Sequence, residues 1–419
     1  MRHPPLIRAL RLASPRCVPL HHATAGWRYN ASGSIKPLKT TPFIPIGTLI
    51  VTTRALQKPG FSYSPWFLIG LITISTGCYR ETIPMLQVIQ GRSMGTTYSV
   101  KFTADQSSPI LLTVSKRVED ELKSINEHMS TYIKSSEISR FNQSASTEWF
   151  AVSTDTAQVV SLALDISAAT HGAFDVTVGG LVELWGFGAA NRPTTVPTEE
   201  QIQQLLGSAG YQRLHVRIDP PALQKDAPEL IVDLSGIAKG YAVDRIAEVL
   251  QDSAINDFFI EIGGEVLTRG KRLDGRAWQV GIELPDATRR ALYGSLELSG
   301  AAMATSGDYR NSYELDGQRY SHTIDPRTGR PSQHELASAT VIDNSCAKAD
   351  AIATGIMALG YEEGLRTSNE MGWKVFLIRR DAVDLNADLN PGPNVGLNAG
   401  LSTGASAAFE AGFKVEVAK

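Results

Sequence analysis

From about residue 86 onward, apolar positions recur first at strand spacing and then at helix spacing. Residues 86–102 read as strand, glycine turn, strand. Gly91 and Gly95 bracket Arg92-Ser93-Met94, and every second residue of 97–102 is apolar, the mark of a half-buried strand. Spacings of three and four then predict a helix over 110–128, with Leu112, Val118, Leu122 and Ile125 facing inward. A second helix is predicted over 154–170, running into a turn at 171–177 that feeds a strand.

Residues 190–228 are rich in Pro and Thr around a short helix at 199–206. A strand at 230–234 passes through Asp233-Leu234-Ser235-Gly236-Ile237-Ala238-Lys239-Gly240 into a helix at 241–250. Strand, glycine-containing loop and helix start together form a common way to offer backbone groups to an anion. The segment is neither GxxxxGK[ST] nor GxGxxG, so nucleotide binding does not follow from it alone. A strand at 258–262 ends at Gly263-Gly264-Glu265, alternating strands continue to about 300, and 304–309 reads as another glycine turn. After a helix starting at Asn344 or Ser345, a strand at 373–378 is separated from 412–417 by a stretch, 381–411, rich in Asn, Gly, Pro and Ala and read as a flexible loop. There are no internal repeats and no heptads.

Charge divides the chain. Of a net −3, residues 1–77 contribute +9 from six Arg and three Lys without a single acid, which leaves −12 for residues 78–419. An acidic body argues against nucleic acid as a partner. Within the leader, Arg54 and Lys58 precede a short apolar run from Trp66 that ends in Ser75-Thr76-Gly77-Cys78. The run falls short of the ~20 apolar residues of a membrane-spanning helix. It fits a signal peptide, and small residues before a cysteine resemble a bacterial lipoprotein signal with Cys78 lipidated. The expected location is therefore the periplasmic face of the inner membrane, although Ser75 stands where such signals usually carry Leu. The length of the leader places the expected start downstream, near Leu49 or Val51, and an organellar transit peptide ranks second. Three cysteines, Cys17, Cys78 and Cys346, are too few for a disulfide framework.

The chemistry concentrates in residues 320–359. His322 precedes a tight turn containing Asp325-Pro326 and Thr328-Gly329, residues that fix the backbone sharply and hold the imidazole in place near the surface. Asp350 and Thr354 lie four apart on the predicted helix, so carboxylate and hydroxyl share a face. Two hard oxygens suit Mg²⁺, which leaves coordination positions for substrate phosphates. The plain structural alternative is an acid near a helix start and a Thr bonded to its own backbone.

Eight segments in order over roughly 90–360 resemble the ApbE family, the FAD:protein FMN transferases: GRSMGTTY, STYIKSSEISRFN, GAFDVT, DLSGIAKGYAVD, IEIGGE, ATSGDY, SHTIDPRTG and ADAIAT. The resemblance implies a monomeric α+β enzyme, a single mixed α/β catalytic module of two closely packed subdomains with the active site in the cleft between them. It implies transfer of FMN from FAD to a Thr or Ser hydroxyl, with Mg²⁺ bound and AMP released. The acceptor would be a respiratory or redox protein carrying Asp-x-x-[Ser/Thr]-Gly-Ala-[Thr/Ser]. Matched motif by motif, Met94, Tyr132, Ala173, Phe174, Asp175, Asp233, Lys239 and Ile324 are the implied FAD contacts. The carbonyl of Gly236 joins Asp350 and Thr354 as implied Mg²⁺ ligands, and His322 is the implied catalytic base. For Tyr132 and Phe174, ring stacking and plain core packing both remain open, as does a merely exposed role for Lys239.

The stretch 381–411 matches nothing in the family, and Cys346 reads as a small packed residue. Two further readings stay open. One is a Mg²⁺-dependent FAD pyrophosphatase giving FMN and AMP on the same residues. The other is a non-catalytic flavin-binding lipoprotein that has no need of His322.

Overall fold

An eight-stranded antiparallel sheet carries the molecule. The computed structural model describes residues 84–105, 110–189, 191–286, 290–380 and 401–418. The leader, Cys78 and residues 381–400 of the expected loop lie outside these. In spatial order the strands are Pro84–Ser93, Thr96–Asp105, Phe258–Ile262, Glu265–Arg269, Ala301–Gly307, Leu336–Asp343, Lys374–Arg380 and Leu401–Ala405. Successive side chains of a strand point to opposite faces, and this sheet uses both. Val341, Val375 and Leu377 join one apolar cluster with the helices Ile110–Met129, Ala238–Asp252 and Cys346–Leu359. Their neighbours Ile342, Phe376 and Ile378 join a second cluster with Val280, Ile282, Leu296 and Leu298 of a smaller three-stranded sheet. Each such side chain contributes about 1.5–3 kcal/mol when fully buried, which explains why the central strands are apolar at successive positions rather than alternately.

A third cluster gathers Leu181, Trp185, Phe187, Ile202, Tyr320 and Ile324. Cys78–Lys419 is one compact unit. A cavity opens where the three clusters meet, lined by Met129 from the first, Met303 from the second and Ile324 from the third.

Several predicted elements fall elsewhere. The apolar run 230–234 is no ladder strand: only Ile231 bridges, to Val178. Its backbone is held by scattered main-chain partners, with Asp233 N–H donating to Val176 O at 2.7 Å and Gly179 N–H to Ile231 O at 3.1 Å, and by side chains. Asn142 both accepts from Val232 N–H and donates to Val232 O at 2.8 Å, and Lys225 Nζ donates to Leu230 O at 3.3 Å. The turn at 171–177 leads into a helix, Gly179–Leu184, not a strand. Residues 304–309 are not a turn; Ala301–Gly307 is a strand, and Gly307 is small because a Cβ there would sit 2.4 Å from the Tyr309 ring. Leu112 is 79% exposed, and Val114 takes the inward position in its place. The C-terminal part of 381–411 is no loop. Leu401–Ala405 closes the sheet edge, and Ala407–Glu410 is a short helix capped by Ser406.

Candidate active site

The helix Cys346–Leu359 is buried along almost its whole length; within it only Lys348 and Thr354 are part-exposed. Ser345 caps its start by accepting from Lys348 N–H. Asp244 of the helix Ala238–Asp252 accepts from Cys346 N–H at 2.8 Å, Ala347 N–H at 3.0 Å and Ser345 Oγ at 2.8 Å. A carboxylate on the orphan donors of a helix start is favourable both as cap and against the dipole. The two helices are thereby locked at the end that carries Asp350.

Asp350 is 2% exposed and opens on the cavity, whose volume is about 1050 Å³. Its Oδ2 accepts from Gly240 N–H at 3.0 Å and lies 3.5 Å from Lys239 Nζ. One turn on, Thr354 Oγ1 sits 3.4 Å from Ser306 Oγ. A Cβ built on Gly236 would lie 3.2 Å from Thr354 Oγ1, Thr354 Cγ2 and Phe174 Cε2, so the loop passes this close because it carries no side chain there. Carboxylate, hydroxyl and main chain therefore converge from two elements far apart in sequence. Among the described residues no group of three or more His, Cys, Asp or Glu side chains could cage a metal. One carboxylate, one hydroxyl and a main-chain oxygen are nevertheless a set that fits Mg²⁺, which keeps waters and takes substrate phosphates.

Lys239 is not a solvated surface lysine. Its Nζ donates to Glu265 Oε1 at 2.7 Å. Burial alone would lower its pKa, but the charges of Asp350 and Glu265 outweigh that and hold the ammonium above its ordinary value. Glu265 is itself pushed above the usual carboxylate range by burial, against the pull of Lys239.

His322 is half-buried. Its backbone N–H donates to the Asn311 carbonyl at 3.0 Å, and the same oxygen lies 3.2 Å from Nδ1. A carbonyl only accepts, so Nδ1 carries the proton and Nε2 keeps its lone pair. Burial lowers the imidazole pKa, as does the nearby Lys239 charge, so the ring is neutral around pH 7. The expected turn is present, with Thr328 and Gly329 N–H donating to Asp325 O at 3.2 and 2.8 Å.

The remaining predicted contacts line the same cavity. Met94 sits at the tip of the first hairpin with φ +51, a left-handed conformation rare for a residue with a side chain. Tyr132 stands at the rim, 62% exposed, its hydroxyl donating to Phe187 O at 3.3 Å. Phe174 is 3% exposed and Ala173 2%, so both belong to the core as well as to the cavity wall. Ile324 packs in the third cluster. Asp175 has its carboxylate engaged by Thr177 N–H, Thr177 Oγ1 and Tyr211 N–H at 2.7–2.8 Å, so it shapes the loop around the cavity. Asp233 accepts from Ser235 N–H at 2.8 Å and Ser235 Oγ at 2.5 Å, fixing the loop that carries Gly236.

All twelve residues named from the sequence thus face one cavity. Three that were not named stand with them. Ser306 lies within the ATSGDY segment, but nothing there singled out its hydroxyl; Asn311 gave no signal because it acts through its carbonyl. Glu265 left a trace, an acid directly after a Gly-Gly turn.

Comparison with known proteins identifies the family. The ApbE family model matches residues 94–377, more than half of the chain. The FAD:protein FMN transferase of Vibrio cholerae is 44% identical over 308 residues, covering 73% of this chain and 91% of that protein. That of Escherichia coli K12 is 36% identical over 331 residues, covering 76% and 93%. The solved flavin transferase ApbE from Vibrio cholerae superposes with a TM-score of 0.69 at 40% identity, over 78% of this chain and 99% of that one. Family match, relatives and fold converge on one conclusion: the chain belongs to the ApbE family.

Proposed function

We propose that this protein is an FAD:protein FMN transferase, moving the FMN half of FAD onto a threonine or serine hydroxyl of an acceptor protein. The observation that carries the reading is that Asp350, Thr354, Lys239 and His322 all open on a single cavity of about 1050 Å³, roomy enough for a dinucleotide. The attacking hydroxyl oxygen bonds to the phosphorus on the FMN side, the bond from that phosphorus to the bridging oxygen breaks, and AMP leaves with the bridging oxygen. His322 Nε2 takes the hydroxyl proton, a role suited to a ring that is neutral and fixed by the Asn311 carbonyl. Lys239 offsets negative charge on the diphosphate. Asp350, Thr354 and the Gly236 carbonyl would hold Mg²⁺, which when bound supplies charge neutralisation at the diphosphate. Met94, Tyr132, Phe174 and Ile324 offer apolar area for the flavin and adenine rings.

The test combines the protein, FAD, Mg²⁺ and an acceptor domain carrying Asp-x-x-[Ser/Thr]-Gly-Ala-[Thr/Ser]. The intact mass of the acceptor should rise by one FMN, mapped to the Thr or Ser. Free FMN and AMP over an unmodified acceptor would make the protein a pyrophosphatase instead, and FAD binding without any AMP would leave a flavin-binding protein. The proposed lipid anchor is tested separately, by the mass of the mature N-terminus at Cys78.

A further inference from the structure

We infer that Glu265 is a positioning residue that draws the Lys239 ammonium off Asp350 and so keeps that carboxylate open to a divalent cation. The inference rests on the reading of Asp350 as a cation ligand. Lys239 Nζ lies between two buried carboxylates, 2.7 Å from Glu265 Oε1 and 3.5 Å from Asp350 Oδ2. The shorter contact goes to the acid that is not needed for the metal. Without it, an ammonium this close would settle on Asp350 and compete with a cation for the same oxygens.

The fold holds Glu265 stiffly in this place. It is the first residue after a Gly263-Gly264 turn, both glycines at positive φ (67° and 112°), and pairs in register with Ile262 across the hairpin. A two-residue turn of this kind fixes register tightly. The side chain is 4% exposed, and Oε2 has no hydrogen-bond partner among the described residues. A buried carboxylate with an unpartnered oxygen costs stability that an apolar residue of similar size would not. Such a cost points to use in the site rather than in the core.

The test measures Mg²⁺ binding to the full chain by calorimetry, without FAD, so that it does not depend on turnover. Glu265→Gln should weaken Mg²⁺ about tenfold, an ordinary coupling between charged neighbours. Glu265→Asp keeps the charge but shortens the reach to Lys239, and should weaken Mg²⁺ as well. In a Lys239→Met background, Glu265→Gln should change the affinity by less than about twofold, because the competitor is gone. Three results would overturn the inference: unchanged Mg²⁺ affinity in Glu265→Gln, wild-type affinity in Glu265→Asp, or the same loss with and without Lys239. The last would mean that Glu265 acts on the cation directly. Asp350→Asn separates the two levels. If it too binds Mg²⁺ normally, the metal reading itself fails, whereas a loss in Asp350→Asn with none in Glu265→Gln sinks only the role of Glu265.

Discussion

Replacing Gly240 by alanine would test how the two helices hold the site. A Cβ there would lie 2.3 Å from the Cys346 carbonyl oxygen, 2.6 Å from its carbonyl carbon and 2.8 Å from Ala347 Cα. All three atoms are backbone, so no side chain can swing aside. Nor can the Cys346–Leu359 helix retreat freely, because Asp244, on the same face as Gly240 one turn later, holds its first two N–H groups at 2.8 and 3.0 Å. Overpacking against fixed backbone costs about 3 kcal/mol. Alanine returns about 1 kcal/mol of helix propensity. The net loss is about 2 kcal/mol, which for a domain of this size lowers Tm by roughly 3 °C. Because Gly240 N–H also donates to Asp350 Oδ2, parting the helices should weaken Mg²⁺ binding in the same variant. Scanning calorimetry with and without Mg²⁺ reads both effects. A Gly240→Ala protein that melts at or above the wild-type temperature would refute the claim that this crossing is backbone-limited.

Asp350→Asn keeps the shape of the side chain and removes its charge; kcat for FMN transfer should fall on the order of 10²-fold, and a wild-type rate would contradict the metal assignment. The proton acceptor must be neutral imidazole, and burial depresses the His322 pKa, so the acid limb of the rate profile should have its midpoint below the ordinary 6.5. A midpoint at or above about 7 would exclude His322 as the base. Met94→Gly should weaken FAD binding through loss of the side chain on the cavity wall, while relief of left-handed backbone strain offsets the lost packing against the core and the added chain entropy, leaving stability within about 1 kcal/mol of wild type in chemical denaturation.

Local signals in the sequence proved the most readable. The Ser345 cap, the Asp350–Thr354 pair and the Asp325 turn each depend on residues within a few positions of one another, and each stands where its spacing placed it. What escaped depends on partners far away in the chain. An apolar run such as 230–234 reads as a strand by periodicity, yet here its backbone bonds are divided among Asn142, Val176, Gly179 and Lys225, partners up to about 90 residues away. Gly307 looked like a turn because glycine is common in turns; its actual reason, the Tyr309 ring, is a packing fact. Asn311 was unreadable in principle, since a main-chain carbonyl is present at every position.

The buried acids show why burial alone does not separate fold from function. Asp175 and Asp244 are each met by three protein donors, two backbone N–H groups and one hydroxyl, so their charge is answered by the fold itself. Asp350 and Glu265 are buried at least as deeply but share a single ammonium, and one oxygen of Glu265 has no partner among the described residues. Two carboxylates against one lysine set more acid than base in low-dielectric surroundings, which goes with the upward push on Glu265 and destabilises a protein unless something positive completes it. Acids whose hydrogen bonds close internally hold the loops and helices in place. Acids left short of cations are where the proposed divalent cation would complete the charge, and here they face the cavity that also holds the oriented histidine.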